Sequence, residues 1–188
     1  VAVYNLESHG DTEKHLNLNN KVWCEGHYLP SGKVICRVND EARTTQQECE
    51  DRLLNRFPTF ISFLNWCLKE TKQEESYSGS LSLDGLTSAK ELVLPKTIGG
   101  SLSLNGLTSA KELVLPKTIG GWLSLDGLTS AKELVLPKTI GGWLSLNGLT
   151  SAKELVLPKT IGGWLSLNGL TTEERQIVNE LRNKRRSK

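Results

Sequence analysis

From Leu81 onward the chain places apolar residues in a fixed order. Leu81, Leu83, Leu86, Ala89, Leu92, Leu94 and Ile98 stand among polar positions, and the order returns every 21 residues, with Gly79, Gly100, Gly121, Gly142 and Gly163 marking the period. Four full copies span 80–163, and a fifth begins at Trp164 and stops after Leu170. A unit this short cannot bury its apolar face alone, so the pattern predicts a solenoid in which each copy packs against its neighbours. Within a copy, the Leu81–Leu83 and Leu92–Leu94 pairs alternate with period two and read as two short strands. Pro95 lacks an N–H and should end the second strand, while the Pro-Lys-Thr-Ile-Gly stretch and Gly99–Gly100 supply corners, the glycines bending at positive φ. Equivalent residues then stack at a strand spacing of about 4.8 Å, and each column becomes a stripe.

Both flanks of the array read differently. Thr171 with Glu174 matches a helix capping box, and Ile177, Val178 and Leu181 form an apolar stripe, so a helix over 172–186 should close the stack. The basic run at 182–188 suits the negative end of that helix. On the other side, 21–28 and 33–38 flank Leu-Pro-Ser-Gly as a β-hairpin. Helices follow over 44–56 and 60–69, divided by Pro58, with Leu53, Leu54, Phe60, Phe63, Leu64 and Trp66 as core. The expected organisation is an α+β N-terminal cap domain over 1–76, a repeat solenoid over 77–171, and a capping helix with a basic tail over 172–188. The polar stretch 70–78 serves as the linker.

The recurring string LPKTIGG(S/W)LSL(D/N)GL resembles the leucine-rich-repeat-like arrays of bacterial and phage-encoded proteins, whose units alternate an LP segment, a Gly-Gly corner and an LxL strand. The resemblance covers about half the chain. It implies a repeat fold and little about function. A leucine-rich repeat also carries an Asn or Cys just after its LxL strand. Here that place holds Leu107, and the Asx column sits earlier, at Asp84, Asn105, Asp126, Asn147 and Asn168. A flattened β-solenoid fits this spacing better than a horseshoe with outer helices.

If Leu123 and Leu125 point inward, Trp122, Ser124 and Asp126 point outward, as do Trp143, Ser145, Asn147 and Trp164, Ser166, Asn168 in the next coils. These nine residues are the candidate binding face. Exposed Trp beside hydrogen-bonding groups suits a protein partner, and the same rings suit a carbohydrate as the alternative. Against this stands the reading that the indoles merely cover the stack. The opposite face carries Val93, Val114, Val135 and Val156 between charged columns, either an ordinary half-buried stripe or a self-association face. Residues 80–171 hold eight Lys against six acids, a charge too balanced for nucleic acid. No run of about 18 apolar residues exists, so a membrane-spanning helix is not expected.

All four Cys and all three His precede Gly79. Cys24, Cys36, Cys49 and Cys67 can pair as two disulfides in an exported protein. Cys24, His27, Cys36 and Cys49 are a weak zinc set, lacking a second closely spaced pair. Otherwise the four are ordinary buried thiols. Paired cysteines would favour a secreted or cell-surface protein, unpaired ones a cytoplasmic protein. The N-terminus lacks a basic-then-apolar signal, and a chain that opens on Val1 without any Met is what removal of a start residue or leader would leave. No phosphate-cradling loop, metalloprotease motif, nucleophile elbow or dinucleotide fingerprint appears, so the expectation is a non-enzymatic protein without cofactors. A small N-terminal catalytic domain using Cys24 and His27 is the remaining alternative.

Overall fold

A computed structural model describes residues 24–38 and 45–186, with side chains at 28–36 and 45–183. The chain divides into two compact units, 1–67 and 68–188. In the first, strands β1 (Cys24–Tyr28) and β2 (Val34–Val38) form an antiparallel hairpin, followed by helices α1 (Gln46–Arg56) and α2 (Phe60–Glu70). Thr45 starts α1 with a full capping box, its Oγ1 accepting from the N–H of Glu48 while the Glu48 carboxylate accepts from the N–H of Thr45. Glu50 accepts from the N–H of Cys36, which ties α1 to the hairpin. Hydrogen bonds from the Gln46 side chain and that N–H hold the Glu50 carboxyl below its usual range. Tyr28, Phe57, Phe63 and Trp66 share an aromatic cluster with centroid spacings of 5.0–6.3 Å, and the Arg56 guanidinium lies 5.1 Å from the Trp66 ring. Leu54, expected in the core, is exposed.

The second unit is a β-solenoid. Its strands are only two residues long: β3 (Ser76–Tyr77), β4 (Leu81–Ser82), β5 (Thr97–Ile98), β6 (Leu102–Ser103), β7 (Thr118–Ile119), β8 (Leu123–Ser124), β9 (Thr139–Ile140), β10 (Leu144–Ser145), β11 (Thr160–Ile161) and β12 (Leu165–Ser166). They stack in two parallel five-stranded sheets, β4-β6-β8-β10-β12 and β3-β5-β7-β9-β11, with residue i opposite i+21 throughout. Helix α3 (Thr172–Arg186) ends the unit, as the capping box predicts.

Four expectations need correction. The second strand of each coil is Thr-Ile, after the proline, and not Leu-Val-Leu before it. Pro95 withholds an N–H from the ladder, so pairing begins beyond it, with Lys117 N–H on Lys96 O and Gly120 N–H on Ile98 O. Second, 70–78 is more than a linker. Ser76–Tyr77 pairs with Thr97–Ile98, and Tyr77 is buried in the place later coils give to Ile. Third, positive φ falls on Glu91, Glu112, Glu133 and Glu154, at +63° to +67°, and not on the Gly-Gly pairs. Leu92 N–H bonds to Ala89 O across Lys90 and Glu91, a turn whose third position requires the left-handed region. The repeat glycines serve close approach instead. A Cβ on Gly106 would collide with the carbonyl oxygens of Asp84 and Leu86 in the coil before it.

The fourth correction concerns α3, where Val178 is buried while Ile177 and Leu181 stay more than half exposed. The core itself lies inside the coils. Leu102, Leu104, Leu107, Ile119, Leu123, Leu125, Leu128, Ile140, Leu144 and Leu146 are fully buried. Each contributes about 1.5–3 kcal/mol. Among the described residues no helix is long and apolar enough to cross a membrane.

Candidate recognition face

The Leu-Ser-Leu-Asx segment of each coil positions the face. Because β-strand side chains alternate, the Ser should lie outside, yet Ser103, Ser124 and Ser145 are buried and Ser166 half-buried. Their hydroxyls explain this. Ser124 Oγ donates to Asn105 Oδ1 (2.6 Å), Ser145 Oγ to Asp126 Oδ1 (2.6 Å) and Ser166 Oγ to Asn147 Oδ1 (2.7 Å). Each of those Asx oxygens also accepts the backbone N–H of the Asx one coil on: Asp126 on Asn105, Asn147 on Asp126, Asn168 on Asn147, at 2.8–2.9 Å. The Ser and Asx columns are therefore a continuous ladder that fastens one coil to the next. Five of the nine residues expected to meet a ligand, Ser124, Ser145, Ser166, Asp126 and Asn147, spend side-chain polar groups in this way, while Asn168 gives the ladder only its backbone N–H. Asp126, Asn147 and Ser166 keep only partial exposure.

The Trp column behaves differently along its length. Trp122 is half-buried, with its ring centroid 5.7 Å from that of Trp143 and the planes inclined by 54°. Trp143 is 48% exposed and Trp164 83% exposed. Between the last two lies an open groove of about 240 Å³, lined by Gly142, Trp143, Gly163 and Trp164. In the first two coils Ser80 and Ser101 take the Trp place. Ser80 Oγ accepts from Ser101 N–H and Ser101 Oγ from Trp122 N–H, at 2.9 and 3.0 Å. The column thus changes from a backbone-bonding hydroxyl to an outward aromatic. Gly142 and Gly163, read from the sequence only as corner residues, line the groove; their position just before each Trp was the signal for it.

The C-terminal helix is pinned by two charged side chains. Glu174 caps its own helix through Thr171 and also accepts from Ala152 N–H (3.0 Å) and Ser151 Oγ (3.3 Å). The Ala152 bond, followed by those from Thr171 and Ser151, outweighs the opposing effect of desolvation and holds the Glu174 carboxyl below its usual range. Arg182 Nη2 donates to Gly163 O at 2.6 Å. A cavity of about 300 Å³ lies there, lined by Leu157, Pro158, Thr160, Ile161, Gly162 and Arg182 among others. Sequence reasoning read Arg182 only as part of the basic run at the negative end of the helix.

The Val column is not half-buried: Val93, Val114, Val135 and Val156 are 57–74% exposed. In the N-terminal unit Cys36, Cys49 and Cys67 are buried thiols, while the side chains of Cys24 and His27 lie outside the described residues. Among the described residues no three His, Cys, Asp or Glu side chains gather as a metal site. Neither a protein-family model, nor a curated protein, nor a solved structure matches the chain.

Proposed function

We propose that the chain is a non-enzymatic recognition scaffold whose solenoid presents the Trp122–Trp143–Trp164 column to a partner protein. The observation that carries this reading is the outward setting of Trp143 and Trp164 on either side of a glycine-lined groove. Exposing two indoles to water forgoes burial worth several kilocalories, roughly 2–3 kcal/mol for each large apolar side chain. The ladder beneath them holds the backbone in one register, so a partner meets a face whose ordering cost is already met by folding. Trp in such a setting is the residue type that dominates protein interfaces. The 54° inclination of Trp122 to Trp143 favours a protein over a sugar, since the rings do not form one flat platform.

The test is the triple variant Trp122→Ser, Trp143→Ser, Trp164→Ser. Ser80 and Ser101 show that Ser fits this position and bonds to the next coil, so circular dichroism and the unfolding midpoint should change little. Capture of a partner protein by the wild-type chain and its loss in the variant supports the reading. Undiminished capture by the variant refutes it. Binding on a glycan array, lost in the variant, would replace the protein partner by a carbohydrate.

A further inference from the structure

The Leu-Ser-Leu-Asx sheet shows several times over what its C-terminal edge takes. Leu144 and Leu146 donate their N–H groups to Trp164 O and Ser166 O, at 2.9 and 3.0 Å. Asn147 Oδ1 accepts Ser166 Oγ and Asn168 N–H. The same four bonds recur between β8 and β10 and between β6 and β8. Every coil therefore offers two N–H donors two residues apart and one Asx oxygen. The segment that covers it supplies two carbonyls, one hydroxyl and one N–H.

In the last coil the equivalent groups are the N–H of Leu165, the N–H of Leu167 and the side-chain oxygen of Asn168. Among the described residues nothing completes the series at these three groups. Burial agrees: Leu165 and Ser166 are half-buried where Leu144 and Ser145 are buried, and Asn168 is exposed. The cap helix bonds elsewhere on the coil. Arg182 takes Gly163 O, where the next Gly N–H of the series would bond, and Glu174 takes Ala152 N–H. Of the described side chains on α3, Val178 alone is buried. The described contacts of α3 thus fall on the Gly-Gly corner and the Ser-Ala loop of the last coil, and β12 keeps an open edge, flanked by Trp164.

We infer that the β12 edge is a binding site for an extended segment of a partner protein, which adds as a parallel sixth strand. The segment has the pattern aliphatic–Ser/Thr–aliphatic, because that is the chemistry seated on every inner equivalent of this edge. Its two carbonyls take Leu165 and Leu167 N–H, its hydroxyl donates to Asn168 Oδ1, and the N–H two residues beyond the hydroxyl joins it there. Strand addition of this kind draws affinity from the main chain and selectivity from alternate side chains. The site extends the recognition reading without resting on the Trp column, since none of the three groups belongs to a Trp.

The experiment uses the full chain and a capped synthetic peptide, Trp-Leu-Ser-Leu-Asn-Gly, copied from residues 143–148. Amide hydrogen exchange is followed residue by residue. Saturating peptide should slow exchange at Leu165 and Leu167 at least tenfold. A peptide with Ala for Ser should bind about two- to tenfold more weakly, the loss expected for one neutral hydrogen bond. Asn168→Ala in the protein should weaken binding by a similar factor, and Trp164→Ser should leave the amide protection in place. Unchanged exchange at both amides, or binding indifferent to the Ser, overturns the proposal. Protection that rises with protein concentration alone, without peptide, would give the site to a second copy of this chain and overturn the partner assignment. Protection that vanishes with Trp164→Ser would fold the site back into the Trp face.

Discussion

The Asx column runs Asp84, Asn105, Asp126, Asn147, Asn168, so no two carboxylates are adjacent. Asn147→Asp tests whether that order matters. The substitution is nearly isosteric and keeps the Oδ1 that accepts Ser166 Oγ and Asn168 N–H. It removes the Nδ2 donor, which bonds to Ser145 Oγ at 2.8 Å and reaches Asp126 Oδ2 at 3.4 Å. The lost bond costs about 1 kcal/mol. The new carboxylate stands one coil from Asp126. At a strand spacing of about 4.8 Å the repulsion is about 0.9 kcal/mol in water and about 3.5 kcal/mol at an effective dielectric constant of 20. Asn147 and Asp126 are partly exposed, so the lower part of that range applies, and the total loss at pH 7 should be roughly 1.5–3 kcal/mol.

Asn168→Asp is the control. It makes the same chemical change two coils from Asp126, where about 9.6 Å of separation leaves roughly 0.4 kcal/mol in water. The assay is urea unfolding followed by circular dichroism at pH 7 and pH 4. Two close carboxylates bind a proton more readily folded than unfolded, so Asn147→Asp should regain stability relative to wild type as the pH falls through the carboxylate range. Equal losses in the two variants, or a loss in Asn147→Asp that is the same at both pH values, would refute the electrostatic account of the ladder.

The Glu column gives a second expectation. Glu112 sits at φ +63°, a conformation that costs a non-glycine residue about 1–2 kcal/mol. Glu112→Gly should therefore raise unfolding stability by about 0.5–1 kcal/mol after the entropy cost of glycine, while Glu112→Val should lower it by about 1 kcal/mol or more, both read from urea midpoints. For the cap, the Glu174 carboxyl is lowered on folding, so the stability it confers is present above the ordinary Glu range and lost as the pH falls through its folded value. Amide exchange along α3 between pH 6 and pH 3 should accelerate relative to exchange in the coils. In Glu174→Gln that difference between helix and coils should lose its pH dependence.

The period, the stacking and the closing helix were legible because each leaves a mark that does not depend on distant partners. A 21-residue spacing, a Thr-x-x-Glu box and a run of Leu are local facts, and the Leu-Ser strand of each coil, the closing helix and the core follow them. What the sequence concealed depends on neighbouring coils. Ser145 reads as an outward residue until Asp126, 19 positions earlier, is seen to accept its hydroxyl. Gly120, in a Gly-Gly pair, reads as a corner until Gly99 O is found against it. Glu91 carries no sign of positive φ, since neither its charge nor its propensity favours a left-handed turn. The candidate face was legible only in its Trp residues. Ile177 and Leu181 show the reverse error: helical spacing marks a stripe, but spacing alone does not say which of its members are covered, and only Val178 is buried among the three.

The contacts that anchor α3 fall on Ser151, Ala152 and Gly163, and each of these is chemically the same as its counterpart one period earlier, Ser130, Ala131 and Gly142. Terminal closure is thereby independent of how many units precede it. Loss or gain of a whole unit alters length in steps of one rung and leaves the join with α3 unaltered, whereas loss of the unit that carries Asn105 would set Asp84 and Asp126 on neighbouring rungs. The aromatic row would grow or shrink by one indole whenever the unit gained or lost carries Trp in the place of Ser80 or Ser101, which makes its reach, and hence the span of partner it can engage, a trait such gain or loss would vary.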